Sequence, residues 1–305
     1  MTGIEISEKY YRLYGEPMLR ENFPELYPRI AAGVCGRGSE NFGFDDEISR
    51  DHGFDPGFYI WLSKEDFKKY EFALSRAYDA LPNELDGVKI IGSSVYETSP
   101  HGVREISSFF LSLTGFAPAP ESNSEWLSLS QETLSCSVNG KIFYDGSGEI
   151  TAIREKLSNM PRDVMLKKLA KNLVFAAQSG QYNYSRALLH GENGAAALAL
   201  SEFAKNICGA AFLLNGKYCP FYKWMFASAR SLPVLSEAAA ISEKMLLDPL
   251  NKENKRRAET AAALIIEELK KQNLSDYPSE YLEPHAYEVM KKISDREIQR
   301  MHIME

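Results

Sequence analysis

The sequence predicts an α+β protein with two domains, and two observations lead to this prediction. Composition changes once, near Glu149: short apolar runs separated by Gly, Pro, Ser and Asp precede it, and apolar residues at helical spacing follow it. The length of 305 residues corresponds to about two average domains. We therefore expect a domain with a small mixed sheet over residues 1–150 and an all-α helical-bundle domain over residues 151–305.

Four short apolar runs in the first half predict the strands of this sheet: residues 29–35, 58–62, 89–96 and 103–107. Ser63 and Asp66 form a capping pattern, because the Ser63 hydroxyl can accept from first-turn amides. A helix over residues 67–81 is expected to follow.

Asn139-Gly140 stands between the short runs 134–138 and 141–144. Both residues tolerate the positive φ of a type I′ turn, so this pair predicts a β-hairpin.

The second half repeats apolar residues at the spacing of a helix face. Three such faces are Met165, Leu169, Leu173 and Ala176; Leu200, Phe203, Ile207, Ala211 and Leu214; and Ala258, Ala261, Ile265 and Leu269. We interpret these faces as the core of a helical bundle, with Gly216 as a helix C-cap.

Composition and charge exclude several classes of protein. Hydrophobic residues make up 44% and charged residues 25% of the chain, which is typical of a globular fold. With a net charge of −7, the chain lacks the excess of basic residues that a general polynucleotide binder needs to neutralise phosphates. A local basic pocket is compatible with this charge. Polynucleotide binding is therefore not expected.

The apolar stretches and the cysteine spacing indicate the cellular compartment in which we expect the protein. The longest strongly apolar stretch is 208–214, far below the ~18–20 residues that span a bilayer, so no membrane association is expected. Residues 1–14 do not resemble a secretory signal. Four scattered cysteines without a CxxC pair, namely Cys35, Cys136, Cys208 and Cys219, favour the reducing cytoplasm.

The most unusual segment is residues 36–58, between two predicted strands. It contains glycines at 36, 38 and 43, and five carboxylates between Glu40 and Asp51. A core strand does not need this composition, whereas a turn that binds phosphate and metal does.

The spacing in this segment resembles the nucleotidyltransferase superfamily of the DNA polymerase β type. Gly38-Ser39, Gly43 and Ser49 match its pattern, and Asp51 stands at its first metal-binding acid. The resemblance implies that Gly38 lets the backbone approach a triphosphate and that Ser39 holds its phosphate oxygens. It also implies Mg²⁺ or Mn²⁺ on paired carboxylates, with a nucleoside triphosphate as substrate.

A closer resemblance covers nearly the whole chain. The stretches 38–52, 177–186 and 214–224 are similar to bacterial proteins of the domain of unknown function 4037 family. That family implies a nucleotidyltransferase-like domain followed by helices, and it names no substrate.

The sequence departs from the family pattern at Gly53, where a second metal-binding acid is expected. Asp55 follows Asp51 by four residues, or ~13 Å along a strand. Three alternatives remain open: Asp55 or His52 substitutes, one metal suffices, or catalysis is weakened or lost.

Glu105 is the candidate for a third acid, because it stands in a strand-like run. It would act as metal ligand or as general base for the acceptor hydroxyl. The alternative is a solvated strand-edge charge paired with Arg104. His101, between Pro100 and Gly102, is expected to be an exposed loop residue, with acid–base chemistry as its alternative.

The helical half adds candidate binding residues. Tyr182, Asn183, Tyr184 and Arg186 would contact a base or the acceptor, unless they form an ordinary interhelical turn.

Lys217 and Lys223 would neutralise a triphosphate, unless they are ordinary charges at helix ends.

These observations predict a metal-dependent nucleotidyltransferase. It would move a nucleoside monophosphate from a triphosphate to a hydroxyl of a small molecule, a protein or an RNA end, and pyrophosphate would leave. The alternative is a catalytically impaired protein of this fold that binds a nucleotide or a protein partner, including an antitoxin-like role.

Overall fold

The structure is a computed structural model that describes residues 1–46, 57–89 and 101–305. It confirms the α+β class, with strands confined to the first half of the chain. The strands are β1 Ala31–Val34, β2 Tyr59–Leu62, β3 Glu84–Leu85, β4 Val88–Lys89, β5 Gly102–Glu105 and β6 Lys141–Asp145.

Helices precede, connect and follow these strands. They are α1 Gly3–Tyr10, α2 Glu16–Asn22, α3 Lys64–Asp79, α4 Ile106–Thr114, α5 Asn123–Ser128, α6 Gln131–Val138, α7 Glu149–Ser158, α8 Arg162–Ala176, α9 Tyr184–Leu189, α10 Asn193–Leu214, α11 Tyr222–Ala229, α12 Ser236–Leu247, α13 Asn254–Lys271, α14 Leu282–Lys291 and α15 Arg296–Arg300.

The chain divides into two compact units. The first unit contains Met1–Glu121 and Cys136–Asn159, and the second contains Ser122–Ser135 and Met160–Glu305. The single boundary at residue 150 stays a prediction.

The first unit is built on a mixed four-stranded sheet in the order β5-β2-β1-β6. β1 is antiparallel to β2 and β6, and β2 is parallel to β5. Buried residues of β1 and β2, including Ile60 and Leu62, join α1 and α3 in one core, in which Phe58 contacts the rings of Tyr10 and Tyr11.

The apolar runs correctly predicted β1, β2 and β5, and Ser63 caps α3 as expected by accepting from the Asp66 amide at 3.2 Å. The run 89–96 is described only at Lys89, which ends β4. Its remaining residues lie outside the described part of the chain.

The predicted hairpin at Asn139-Gly140 is wrong. Residues 131–138 form α6, and β6 pairs with β1 instead of with a preceding strand. Gly140 has the expected positive φ of +69°, but here it turns the chain from a helix into a strand. Asn-Gly suits a helix C-terminus as well as a type I′ turn, because both require left-handed backbone.

The second unit consists of helices around α10. The predicted faces on α10 and α13 are buried as expected, and on α8 Leu169, Leu173 and Ala176 are buried. Gly216, with φ +62°, follows the end of α10, as predicted.

Among the described residues, one helix is long and apolar enough to cross a bilayer. It is Asn193–Leu214, and 67% of its most apolar window is buried within the protein, as in a core helix.

Between α8 and α9 the chain does not turn. Residues Ala177–Asn183 form a π-helical segment that continues α8 directly into α9. The stretch that the sequence marks as an interruption is therefore a change of helix type.

Candidate functional site

The sheet register shows which strand ends lie together at each end of the sheet in the first unit. Gly33 of β1 pairs with Tyr59, and Tyr59 pairs with Gly102. The end of β1 therefore lies beside the beginning of β2, and the beginning of β5 is at the same level one strand further away. We call this the upper edge, and the segment Gly36–Gly43 that follows β1 there is the glycine turn.

Backbone hydrogen bonds shape the glycine turn. The Asn41 amide donates to the Gly38 carbonyl at 3.2 Å, and the Phe42 and Phe44 amides both donate to the Ser39 carbonyl at 3.1 Å. Within the described residues, the Ser39 hydroxyl makes no hydrogen bond. It is a polar group in a compact turn that remains available to a ligand.

Gly38 lies against the flexible side chain of Glu40. A Cβ at this position would stand 1.7 Å from Oε1 of Glu40, whose carboxylate folds back over the turn. A side chain at residue 38 would displace the Glu40 carboxylate. An anionic ligand approaching Gly38 would displace it as well, because like charges repel at contact distance.

Two further segments anchor the turn. The Gly36 amide donates to Oδ1 of Asn139 at 2.9 Å, and Nδ2 of Asn139 donates to the Gly36 carbonyl at 2.7 Å. The Gly140 amide donates to the Asn41 carbonyl at 2.8 Å. The Asn-Gly pair thus fixes the turn against the beginning of β6.

His101 also lies at the upper edge, directly before β5. It is 6% exposed, and its ring centroid lies 5.0 Å from that of Tyr59. A Cβ on Gly57 would stand 2.9 Å from its Nδ1, so the glycine admits the imidazole. The expectation of an exposed loop histidine is wrong, because the beginnings of β2 and β5 enclose the ring.

Glu105 lies at the other end of β5. It pairs with Leu62, one residue beyond the level of Ala31, where β1 begins. The glycine turn follows the opposite end of β1, and a four-residue strand is about 13 Å long. The structure therefore does not bring Glu105 to Gly38 and Ser39.

The Glu105 carboxylate already has a structural task as the N-cap of α4. It accepts from the Ser107 and Ser108 amides at 2.9 and 2.8 Å and from the Ser108 hydroxyl. Burial alone would raise the pKa of Glu105, but these hydrogen bonds outweigh it and hold the pKa below its usual range. The roles of metal ligand and general base predicted for Glu105 do not agree with this geometry.

A cavity of about 430 Å³ lies beside Glu105 in the first unit. Its lining includes Tyr59, Phe67, Glu71 and Phe109. The lining therefore runs along β2 and β5, from Tyr59 at the upper edge to Glu105 at the opposite end of β5, and includes no residue of the glycine turn.

The predicted metal-binding residues Asp51 and Asp55, together with His52 and Gly53, lie outside the described residues. Within the described ranges, no group of three or more His, Cys, Asp or Glu side chains is arranged to hold a metal ion. The described residues at the upper edge therefore do not form a divalent-cation site by themselves.

In the second unit, the structure separates Tyr182 from Tyr184. Tyr182 is 51% exposed, and the guanidinium carbon of Arg186 lies 5.2 Å from its ring centroid. Asn183 is exposed as well. These three residues share one accessible surface of the helix.

Tyr184 is fully buried, and its hydroxyl donates to the Pro249 carbonyl at 2.8 Å. No face of its ring is open to a ligand. The predicted base or acceptor contact by Tyr184 is corrected for this reason.

Lys217 lies in the segment between α10 and α11, and Lys223 is in the first turn of α11. Both side chains are exposed, and the Lys223 ammonium lies 4.7 Å from the centroid of a Trp224 ring. Each can meet an anionic group that approaches this surface.

A lysine that sequence reasoning missed, Lys168, lies partly buried on α8 of the same unit. Nζ of Lys168 donates to the Leu127 and Leu129 carbonyls at 2.9 and 2.6 Å. Burial, with a smaller effect of Lys171, lowers its pKa from 10.5 to about 8. It holds the end of α5, and no spacing in the sequence distinguishes it from a surface lysine.

The family comparison concerns the stretch from α5 to α11, which includes residues of both units. The family described as Domain of unknown function (DUF4037) matches residues 126–225. The resemblance to DUF4037 is thereby confirmed. Two of the three stretches that carried it, 177–186 and 214–224, fall inside the match, and the third, 38–52, falls outside.

Among solved structures, the chain is similar to the crystal structure of a nucleotidyltransferase-like protein from Exiguobacterium sibiricum 255-15, at 15% identity with a TM-score of 0.36. The likeness covers 94% of this chain and 81% of that one. No curated protein matches. The DUF4037 match thus includes Tyr182, Arg186, Lys217 and Lys223, while the glycine turn depends on its own sequence pattern and geometry.

Proposed function

We propose that the glycine turn binds the phosphates of a nucleoside triphosphate and that the protein is a nucleotidyltransferase. The observation that carries this proposal is that the Ser39 hydroxyl makes no hydrogen bond within the described residues. It follows Gly38 in a compact turn after the buried strand β1. Its sequence spacing, Gly38-Ser39 and Gly43 before Asp51, supports the same conclusion.

In the proposed reaction, an acceptor hydroxyl attacks the α-phosphorus of the triphosphate. The bond from the acceptor oxygen to phosphorus forms, the bond to the bridging oxygen breaks, and pyrophosphate leaves while the acceptor loses its proton. Ser39 would donate to a phosphate oxygen, and the backbone at Gly38 would allow a close approach once the Glu40 carboxylate turns away.

Mg²⁺ or Mn²⁺ is part of the proposal through Asp51, with Asp55 or His52 beside it. Such an ion would lower the charge on the phosphates and orient them. Glu105 is not included, because it caps α4 at the opposite end of β5 from the glycine turn. His101 lies at the same end of the sheet as the glycine turn, directly before β5.

In the second unit, we propose Lys217 and Lys223 as phosphate contacts and Tyr182, Asn183 and Arg186 as contacts to the base or the acceptor. Their exposure supports these roles. The acceptor class stays open among small molecules, proteins and RNA ends, and a cytoplasmic location is part of the proposal.

The test is thermal unfolding with ATP, GTP, CTP and UTP, each with and without Mg²⁺ or Mn²⁺. A ligand that binds only the folded state raises the melting temperature by mass action. We compare the wild type with Ser39→Ala and Asp51→Asn. The matched control is Ser124→Ala, which also removes one hydroxyl but at an exposed position of α5.

The proposal expects stabilisation by at least one triphosphate in the presence of metal, a smaller shift in Ser39→Ala and Asp51→Asn, and an unchanged shift in the control. Equal shifts in all four proteins would place binding elsewhere and refute the assignment of the glycine turn.

A second candidate function is favoured by Gly53, which stands where the family pattern has an acid. On this alternative the protein binds a nucleotide or a protein partner without turnover. Stabilisation by triphosphate without any release of pyrophosphate would favour it, and co-purification of a stoichiometric protein would favour the antitoxin-like form.

A further inference from the structure

A second cavity lies in the helical unit, outside the residues used so far. It measures about 520 Å³ and is lined by Tyr277, Tyr281, Glu283, Tyr287, Glu288 and Lys291. Its volume falls within the range of small-molecule sites, ~300–1,000 Å³. Three tyrosines thus border an open pocket large enough for a small organic ligand.

A buried histidine holds the walls of this cavity in place. His285 of α14 is fully buried. Its Nδ1 shares a hydrogen bond of 2.8 Å with the Ser275 hydroxyl, and its Nε2 lies 2.9 Å from the Ser279 carbonyl. The loop that carries Tyr277 and Tyr281 is therefore fixed to α14, so the cavity is formed before a ligand arrives.

The charge of the cavity is negative. Glu288 is paired with Lys291 at 2.7 Å, whereas Glu283 has no hydrogen bond or ion pair within the described residues. The surrounding stretch 276–291 contains four carboxylates and one lysine. Burial and the neighbouring Glu283 raise the pKa of Tyr281. The cavity therefore attracts a cation.

An anion at the beginning of α14 is disfavoured by the same residues. The Leu282 amide already donates to Oε1 of Gln181 at 2.9 Å. Pro284, two residues later, has no amide hydrogen to offer. Glu283 between them adds a negative charge where an anion would lie. The helix N-terminus thus presents little to an acidic ligand.

We propose that this cavity binds a small organic ammonium compound. The cation would lie against the faces of Tyr277, Tyr281 and Tyr287, whose π-electrons attract positive charge. Glu283 supplies the carboxylate that such a ligand needs as a counter-charge. This site shares no residue with the proposed nucleotide site, although Tyr281 lies close enough to Tyr182 for the two to interact electrostatically.

The test is calorimetric titration of the full-length protein with tetramethylammonium and with n-butylammonium. tert-Butanol controls for size without charge, sodium controls for charge without alkyl groups, and inorganic phosphate probes the opposite charge. The variants are Tyr287→Leu and Glu283→Gln, and the matched control is Tyr222→Leu, an exposed tyrosine on α11 of the same unit.

The proposal expects one ammonium ion to bind with unit stoichiometry. Tyr287→Leu should weaken it by roughly threefold to thirtyfold, Glu283→Gln should also weaken it, and Tyr222→Leu should not. The difference between the two ammonium ions then shows whether a quaternary or a primary cation is preferred.

Equal binding of tert-butanol, tighter binding of phosphate, or no binding of either ammonium ion would overturn the proposal. Because Tyr287 is half exposed, its substitution is not expected to unfold the protein, and unchanged thermal unfolding of the variant checks this.

Discussion

Replacing Gly180 by alanine tests the packing of the π-helical segment on α10. A Cβ at Gly180 would stand 2.1 Å from Cδ2 and 2.5 Å from Cγ of Phe203. Phe203 is fully buried, so its ring cannot move toward solvent. Overpacking of this kind costs ~1–3 kcal/mol.

Helix propensity acts in the opposite direction. Alanine is favoured over glycine by ~1 kcal/mol in a helix interior. Because atoms at 2.1 Å overlap severely, we expect the steric cost to exceed the propensity gain and the free energy of unfolding to fall by up to about 2 kcal/mol.

The assay is urea denaturation of the wild type, Gly180→Ala and the double variant with Phe203→Leu, which shortens the obstructing ring. Gly194→Ala is the matched control, because nothing lies within 4 Å of a Cβ there, and it should not destabilise. A Gly180→Ala protein as stable as the wild type would refute the reasoning, as would a double variant that recovers nothing beyond the sum of the single changes.

Three other changes have defined outcomes. Tyr184→Phe removes the hydrogen bond to the Pro249 carbonyl and should lower the free energy of unfolding by ~1 kcal/mol, measured by urea denaturation; no loss would contradict the buried contact. Glu105→Gln weakens the cap of α4 and should cost ~0.5–1 kcal/mol, while any thermal shift by triphosphate stays unchanged; loss of that shift would restore Glu105 to the site. The pKa of Lys168 is about 8 in the folded protein, below its usual 10.5. Between pH 8 and 10.5 the unfolded chain therefore binds more protons than the folded protein. The free energy of unfolding should rise by up to ~3 kcal/mol as the pH increases through this range. Lys168→Met should remove this gain, and identical pH profiles of stability would contradict it.

Local patterns determined which elements could be predicted. The apolar runs of β1 and β2 and the capping Ser63 each follow from neighbouring residues, and the structure has them as expected. Asn139-Gly140 failed because left-handed backbone serves a helix end and a hairpin equally. The choice depends on whether residues 131–138 pair with β6 or pack as a helix, which is a tertiary contact.

The sequence did not reveal the register of the sheet, which determines which candidate residues lie at the same end of the sheet. Glu105 and His101 stand four residues apart at opposite ends of β5, so only the pairing of β5 with β2 shows which one lies at the same end of the sheet as the glycine turn. Tyr182 and Tyr184 are separated for a related reason. Side chains two residues apart on a helix point to nearly opposite sides, so one ring is exposed when the other is buried.

The division into two units has a consequence for any attempt to dissect the protein genetically. Because Ser122–Ser135 belongs to the second unit and Cys136–Asn159 to the first, the polypeptide passes between the units three times. A fragment that starts at residue 151 would lack the Leu127 and Leu129 carbonyls that receive the Lys168 ammonium. A workable truncation must keep α5 with the later helices, for example through a circular permutation or a designed linker.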